Sequence, residues 1–537
     1  MEQGAGADGR ALGGGRGRWW TSPGWCSVWV LLGALVLYVG TCAPGAVWQD
    51  SGMLQWRVLG NDVEGELGLA LSHPLFYLVA IGGKYILWGE PAWRVNVVGA
   101  ALGALGVASM FLLVRLWTGR AWAALVSAVT LAVMHTYWRH AALPETYDMY
   151  VALLLGELSC LVGYVRTGRR GWVYGLALVN GLAVATHMMG VLSLAVWLVL
   201  GGVGLWRSRL RWRDAAVWVG LWLLGALPYL WLIGSALAEG QSLGAVLHSA
   251  AFGQSWAGAV LNRSVSLGLL RENVLLFGYN FATPNVLLTV VGVAWLFGRG
   301  GSKRWLGWVL AVMLVLYGGF AGRYTVADRY AFFLPFYALT AVLVGLGAAW
   351  VAQRWHWGVC WRAGVLLAAL LPVGVYAVAP VVAERAQVRL GTKRQLPYRN
   401  EYRWFLQPWK RGYDGPARFA RETFDTAGAD AVVYADQTTV YPLLYAQRVG
   451  GCSRDVSVVS SRVHSGAVAA LEEGSVAAWV ARGQLYVVTP AAGYCPVFLL
   501  DHYDFEPAGP IWRVTVRPDA ASAYEDGEPS AGETSGG

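Results

Sequence analysis

Three polar clusters stand at the edges of long apolar runs, and their side chains are those of acid-base and phosphate chemistry. In the first, Asp50-Ser51-Gly52 follows the opening apolar run. A carboxylate at the mouth of a membrane bundle is costly, so Asp50 is the leading candidate for a base, with an ordinary loop acid near the headgroups as the alternative. Asp62, Glu64 and Glu66 beyond it read as solvated. Pro74 fixes the entry to the next apolar run, and His73 before it is expected to face the same vestibule as Asp50. The second cluster runs from Tyr137-Trp138-Arg139-His140 to Pro144-Glu145-Thr146-Tyr147-Asp148. Glu145 precedes a helix, where a carboxylate serves either a reaction or the helix dipole. His187, beside Thr186 at the end of a later run, is either a vestibule residue or a hydrogen-bonded bundle residue. In the third cluster, Arg323-Tyr324 and Asp328-Arg329-Tyr330, two guanidinium groups suit a phosphate, and an interfacial ion pair of Asp328 with either arginine fits as well. The chemistry these types permit together is group transfer: a carboxylate deprotonates an acceptor hydroxyl while cations neutralise a departing phosphate.

The elements that must hold these residues are membrane helices. The 537 residues are 56% hydrophobic and only 14% charged, with 30 Trp, which excludes a soluble globular chain. The net charge of +9 is spread in short arginine clusters between apolar runs, a topological signature rather than a nucleic-acid stripe. Runs of the length needed to cross roughly 30 Å of hydrocarbon fall at 24–42, 93–116, 121–137, 147–165, 171–187, 189–206, 214–235, 285–298, 305–320, 331–352 and 358–380, an expectation of eleven spans. The run 73–89 carries Pro74, Gly82, Gly83 and Lys84 and reads as a helix lying at the interface. With it excluded, the clusters Arg115/Arg120, Arg166/Arg169/Arg170, Arg207 to Arg213, Arg299/Lys303/Arg304 and Arg354/Arg362 all share the side of the N-terminal tail 1–23. The loop 43–92, the turn 138–146, the loop 236–284, the turn 321–330 and everything after about 381 are then extracytoplasmic. The expected architecture is an α-helical polytopic membrane domain, 24–380, followed by an extracytoplasmic α/β domain, 381–517, and a disordered segment, 518–537. Within the α/β domain, Ala431–Ala435, Val456–Val459, Gln484–Val488 and Trp512–Val516 read as strands, and Gly415–Thr426 and Gly466–Arg482 as helices. Cys452 and Cys495 are either a disulfide or two free thiols.

The order of motifs resembles a known family. Asp50-Ser51-Gly52, His73-Pro74, Trp93-Arg94-Val95-Asn96, Pro144-Glu145-Thr146-Tyr147, Ala185-Thr186-His187 and Asp328-Arg329-Tyr330 with Phe332-Phe333-Leu334-Pro335 look like glycosyltransferase family 117, whose eukaryotic members are protein O-mannosyltransferases. The resemblance continues at Ala435-Asp436-Gln437-Thr438, Tyr441-Pro442-Leu443-Leu444-Tyr445 and Arg454-Asp455-Val456. It implies a GT-C fold and a polyprenyl-phosphate sugar as donor, with mannose the first candidate, and a hydroxyl of a protein or glycan as acceptor. It also implies Asp50 as the acceptor-activating base, Glu145 as a second acid, His73 and His187 in the vestibule, and Arg329 at the lipid phosphate; Arg323 and Asp328 join the expected substrate-binding residues on the chemistry of the third cluster alone. The chain departs from the family at Leu75, where a second proline is common, and at Arg139-His140, where Ser-Gln is common, so Arg139 inherits no role. No residues have metal-ligand spacing and no metal is assigned, although a divalent ion serves some enzymes of this superfamily. The implied partners are the lipid-linked donor, the acceptor and membrane lipids in a plasma membrane of bacterial type, with no nucleic acid. A flippase for lipid-linked glycans would need charge in the middle of its spans, whereas here charge gathers at their ends. A sugar-binding receptor would place its function in the C-terminal domain alone.

Overall fold

The computed structural model describes residues 23–86, 88–298, 304–326, 328–354, 358–390, 394–451, 455–460 and 468–517. The expected N-terminal tail up to residue 22, the segment 518–537, Cys452 and Arg454, and the start of the 466–482 helix lie outside these residues. The chain opens with α1 (Pro23–Thr41), α2 (Gln49–Gly60), α3 (Pro74–Gly82) and α4 (Pro91–Thr118). There follow α5 (Ala121–Ala132), α6 (His135–Ala141), α7 (Tyr147–Thr167), α8 (Gly171–Thr186), α9 (Gly190–Trp206) and α10 (Trp212–Ala238). Short α11 (Leu243–Phe252) and α12 (Ala257–Val260) lead to α13 (Leu267–Asn280), α14 (Leu288–Phe297), α15 (Arg304–Arg323), α16 (Leu334–Arg354) and α17 (Val359–Arg385).

Every one of the eleven expected runs is helical, but their lengths differ more than the sequence indicated. Among the described residues seven helices are individually long and apolar enough to span, namely α1, α4, α7, α10, α15, α16 and α17. The pairs α5–α6 and α13–α14 bend by 71° and 112° and could each make one further span. The shorter apolar α8 and α9 have 16 and 17 residues. The bends correct the sequence reading in two places: the supposed turn 138–146 begins inside α6, and the supposed loop 236–284 contains α11, α12 and α13. The loop 43–92 likewise holds α2 and α3, with the interfacial run 73–89 ending its α-helix at Gly82.

The bundle centre is set by burial. The segment 331–354 has 89% of its apolar window buried and α7 78%, against 11% for α1, which faces outward. Where helices cross closely, glycines let the backbones touch. A Cβ on Gly347 would sit 2.0 Å from Leu288 O, and one on Gly292 2.2 Å from Leu343 O, which locks α14 onto α16. Gly181 and Gly225 do the same for α8 and α10, with virtual Cβ atoms 2.3 Å from Trp222 O and 2.4 Å from Leu178 O.

After the bundle come α18 (Glu401–Leu406), α19 (Gly415–Ala427), β1 (Val432–Tyr434), α20 (Val440–Gly450), β2 (Ser457–Val459), α21 (Glu473–Ala481), β3 (Leu485–Val487), α22 (Val497–His502), β4 (Tyr503–Ala508) and β5 (Ile511–Val516). They form a five-stranded sheet in the order β2-β1-β3-β5-β4, parallel among the first three and antiparallel at β5 and β4. All four expected strands are present. The sequence did not announce β4, whose Tyr-Asp-Phe-Glu-Pro-Ala run is polar and contains Pro507, features an edge strand tolerates. One face of the sheet shares a core with the membrane part: Val47, Trp48, Met53 and Leu143 pack with Phe419, Val433, Tyr441 and Leu444. Hydrogen bonds from Gln49 N to Thr438 O (3.1 Å), Trp48 Nε1 to the Tyr413 hydroxyl (2.8 Å) and Ala92 N to the Tyr445 hydroxyl (3.0 Å) fix the seat.

Candidate active site

Asp50 lies in the first turn of α2, where the helix dipole favours negative charge. The helix is stopped at its other end by Asn61 in the left-handed conformation, whose N–H bonds to Arg57 O and Val58 O. Gly52 is needed for this placement, because a Cβ there would stand 2.4 Å from Val47 O and 3.2 Å from Tyr441 Cβ. Gln55 accepts from Val47 N (3.0 Å) and donates to Asn96 Oδ1 (2.8 Å), tying the start of α2 to α4. Arg57, 2% exposed, bonds to Asp62 and Val63 O and stacks 3.7 Å over Tyr77 of α3. The catalytic candidate is thereby held between α4 on one side and the sheet domain on the other.

Two cavities meet at Asp50. The larger, about 410 Å³, is lined by Asp50, His73, Glu145, His187 and Asp328 among largely apolar walls such as Met53, Leu192, Phe320 and Phe332. Gln437, from the loop after β1, also lines it. The smaller, about 50 Å³, is polar and lined by Gln49, Asp50, Ser51, Arg139, His140, Glu145, Asp328 and Tyr330. Asp50, Glu145 and Asp328 border both. Asp50 is exposed and borders the larger cavity.

Enclosure sets the protonation of the acids. Burial raises Asp50, and the neighbouring Asp328 carboxylate raises it further; Asp328 is itself raised by burial. Burial pushes Glu145 up to about 8, with Asp50 and Asp328 adding to the rise. The hydrogen bond donated by Ser51 Oγ to Glu145 Oε1 (2.5 Å) and the charge of Arg139 oppose it. Carboxyls with values drawn toward neutrality are matched to moving protons near pH 7. Glu145 is not the N-cap of α7; that position is Thr146.

The histidines meet as well. His73 and His187 have ring centroids 4.9 Å apart, and His187 also packs on Tyr147 (5.0 Å) and Phe332 (5.9 Å). The arginines do not join them. Arg323 donates to Val260 O (2.7 Å) and Asn262 O (2.6 Å), and Arg329 pairs with Glu272 (2.8 Å) and Asn273 and donates to Tyr324 O (3.1 Å). Neither lines either of these two cavities. The expected phosphate contacts are thus occupied in holding α13, α15 and the 257–262 segment together, and the alternative pairing of Asp328 with an arginine is replaced by the Arg329–Glu272 pair.

Of the two cavities, the smaller has Arg139 in its lining and the larger has no described Lys or Arg. Arg139 is 6% exposed, packed among the rings of Tyr330 (5.3 Å), Phe405 (5.1 Å) and Trp404 (5.5 Å). Nearby cations have partners of their own: Lys410 donates to Trp404 O (2.8 Å) and Gln407 O (2.5 Å), and Arg399 forks onto Glu401 at 2.6 and 3.0 Å. Sequence reasoning missed Arg139 and Gln437 because their roles depend on the bend into α6 and on the docking of the sheet domain. The available signal was an arginine inside an aromatic run. Among the described residues no group of three or more His, Cys, Asp and Glu is spaced to hold a metal ion.

A polytopic bundle, an apolar cavity ending in carboxylates and a sheet domain packed over it make up the architecture. Solved structures share this architecture. The chain is similar to ArnT from Cupriavidus metallidurans in the apo state, with a TM-score of 0.60 and 15% identity over 92% of this chain and 97% of that one. It is also similar to the same organism's ArnT bound to undecaprenyl phosphate, with a TM-score of 0.57 and 14% identity over 92% and 98%. Residues 70–203 match the family described as the Protein O-mannosyl-transferase TMEM260 N-terminal domain. No curated protein matches the chain. Residues 70–203 thus carry the match to a protein O-mannosyltransferase domain, and the chain as a whole shares the fold of the ArnT structures.

Proposed function

We propose that the protein moves a hexose, with mannose the first candidate, from a polyprenyl-phosphate donor to a hydroxyl of a protein or glycan on the extracytoplasmic face. The observation that carries this reading is the meeting of an apolar cavity and a polar one at Asp50, Glu145 and Asp328. An apolar chamber suits the first isoprene units of a lipid carrier, and the neighbouring ArnT structure holds undecaprenyl phosphate. Asp50 takes the proton of the acceptor hydroxyl, whose oxygen attacks the anomeric carbon. The bond from that carbon to the phosphate oxygen breaks, and its electron pair leaves on the polyprenyl phosphate. Arg139, rather than Arg323 or Arg329, neutralises that charge in a site where low dielectric strengthens the contact. Glu145 supports Asp50, and its elevated affinity for a proton keeps the three acids from repelling the phosphate with full charge. The positive-inside distribution of arginines supports the extracytoplasmic orientation.

Purified protein given labelled polyprenyl-phosphate hexoses and hydroxyl acceptors is expected to form glycoside and release the lipid phosphate. Asp50→Asn is expected to abolish transfer while leaving the melting temperature near that of the parent. Full activity in that variant removes Asp50 as the base.

A further inference from the structure

His73 and His187 face the same chamber with opposite hydrogen-bonding polarity, and the backbone fixes that polarity. His73 Nδ1 lies 2.9 Å from Thr186 O, an acceptor, so Nδ1 carries the proton and Nε2 is left as a lone-pair acceptor. His187 Nδ1 receives the Met189 N–H at 3.1 Å, so its proton sits on Nε2, a donor. Both rings line the larger cavity, 4.9 Å apart and inclined by 31°. His73 is held at φ 50°, the left-handed region that a residue with a side chain adopts at a cost, directly before Pro74. Burial lowers His73 to about 4, so its ring is uncharged at neutral pH. No Lys or Arg lines this cavity, while Asp50, Glu145 and Asp328 do.

We infer that His73 and His187 form a donor-acceptor pair that reads the ring hydroxyls of a neutral hexose, His73 Nε2 accepting from one hydroxyl and His187 Nε2–H donating to the same hydroxyl or its neighbour. This rests on the transfer reading above, which already names a hexose, and adds to it the two residues that read the sugar. A uronic acid would bring a carboxylate into a chamber already bordered by carboxyls and without a cation. A hydroxylated sugar satisfies both nitrogens without adding charge. The pair selects because a buried donor or acceptor left unpartnered by a deoxy sugar costs more than the hydrogen bond is worth in water.

The test is a set of lipid-linked hexoses, each lacking one ring hydroxyl, assayed with the parent enzyme and with His73→Phe, His187→Phe and the corresponding Gln variants, all checked by thermal melting. The parent enzyme is expected to lose about tenfold or more in kcat/KM with at least one deoxy donor, the worth of one hydrogen bond. Phenylalanine at 187 or 73 should lower kcat/KM for the full hexose by a similar factor, mainly through KM, and erase the discrimination against that same deoxy donor. Glutamine, which restores a polar atom, should recover part of both. Equal treatment of all deoxy donors by the parent enzyme overturns the inference, as does a uniform loss on every donor in the variants. Absence of product from any lipid-linked sugar overturns the transfer reading itself, so the two failures are told apart.

Discussion

Removing the Ser51 hydroxyl tests the electrostatics of the acid cluster more sharply than removing an acid. Ser51 is 6% exposed, and its Oγ donates to Glu145 Oε1 at 2.5 Å, the length of a charge-assisted bond. A hydrogen bond to a charged group contributes about 1.5–3 kcal/mol. At 1.36 kcal/mol per pKa unit, its loss raises the carboxyl by about one to two units. Water in the adjoining cavity can replace part of the bond, which places the expectation for Ser51→Ala near one unit above the present value of about 8. The limb of the pH–rate profile that belongs to Glu145, measured as transfer from a lipid-linked hexose between pH 5 and 10, should move upward by that amount; Glu145→Gln should remove the limb. The same carboxyl has a stability signature. Its folded value lies above its ordinary 4.5, so between pH 4.5 and about 8 the native state binds more protons than the unfolded chain. Its contribution is therefore most favourable below pH 4.5 and declines as pH rises to 8, and Ser51→Ala should extend the decline. A profile that stays within about 0.3 units of the parent, or moves to lower pH, refutes the assignment of a functional hydrogen bond between Ser51 and Glu145.

Arg139→Gln should lower kcat/KM for the lipid-linked donor about a hundredfold, the usual loss when one charge-stabilising donor is taken from a reacting centre; an unchanged kcat/KM would return the phosphate to another residue. Arg323→Gln should instead lower the melting temperature in detergent without a selective rise in donor KM, because Arg323 holds the carbonyls of Val260 and Asn262. A donor KM that rises while melting is unaffected would contradict that. Gly347→Ala places a methyl 2.0 Å from Leu288 O and should destabilise the α14–α16 contact by about 1–3 kcal/mol. Melting at the parent temperature would show that the helices part without cost.

Much of this molecule was legible in its residues. The periodic apolar runs and the arginine clusters between them gave the helical membrane class, because only a helix satisfies its own backbone in hydrocarbon. Alternating β-branched runs gave four of the five strands of the C-terminal sheet, all but the edge strand β4. Asp50, Glu145, Asp328, His73 and His187 were named from type and position, and all five border one chamber. What the residues could not specify was which neighbours each charge would find. Arg323 and Arg329 have the chemistry of phosphate ligands, yet Glu272, Asn273 and two loop carbonyls take them, and α12 and α13 that carry these partners lie in what read as loop. Arg139 had no role on paper and reaches the polar cavity on α6, which bends 71° from α5. Hydrophobic period and charge are local properties of a chain. The pairing of a guanidinium, the polarity of a histidine ring and the affinity of a carboxyl for its proton belong to the groups around them, and those are assembled only when the helices and the sheet domain pack.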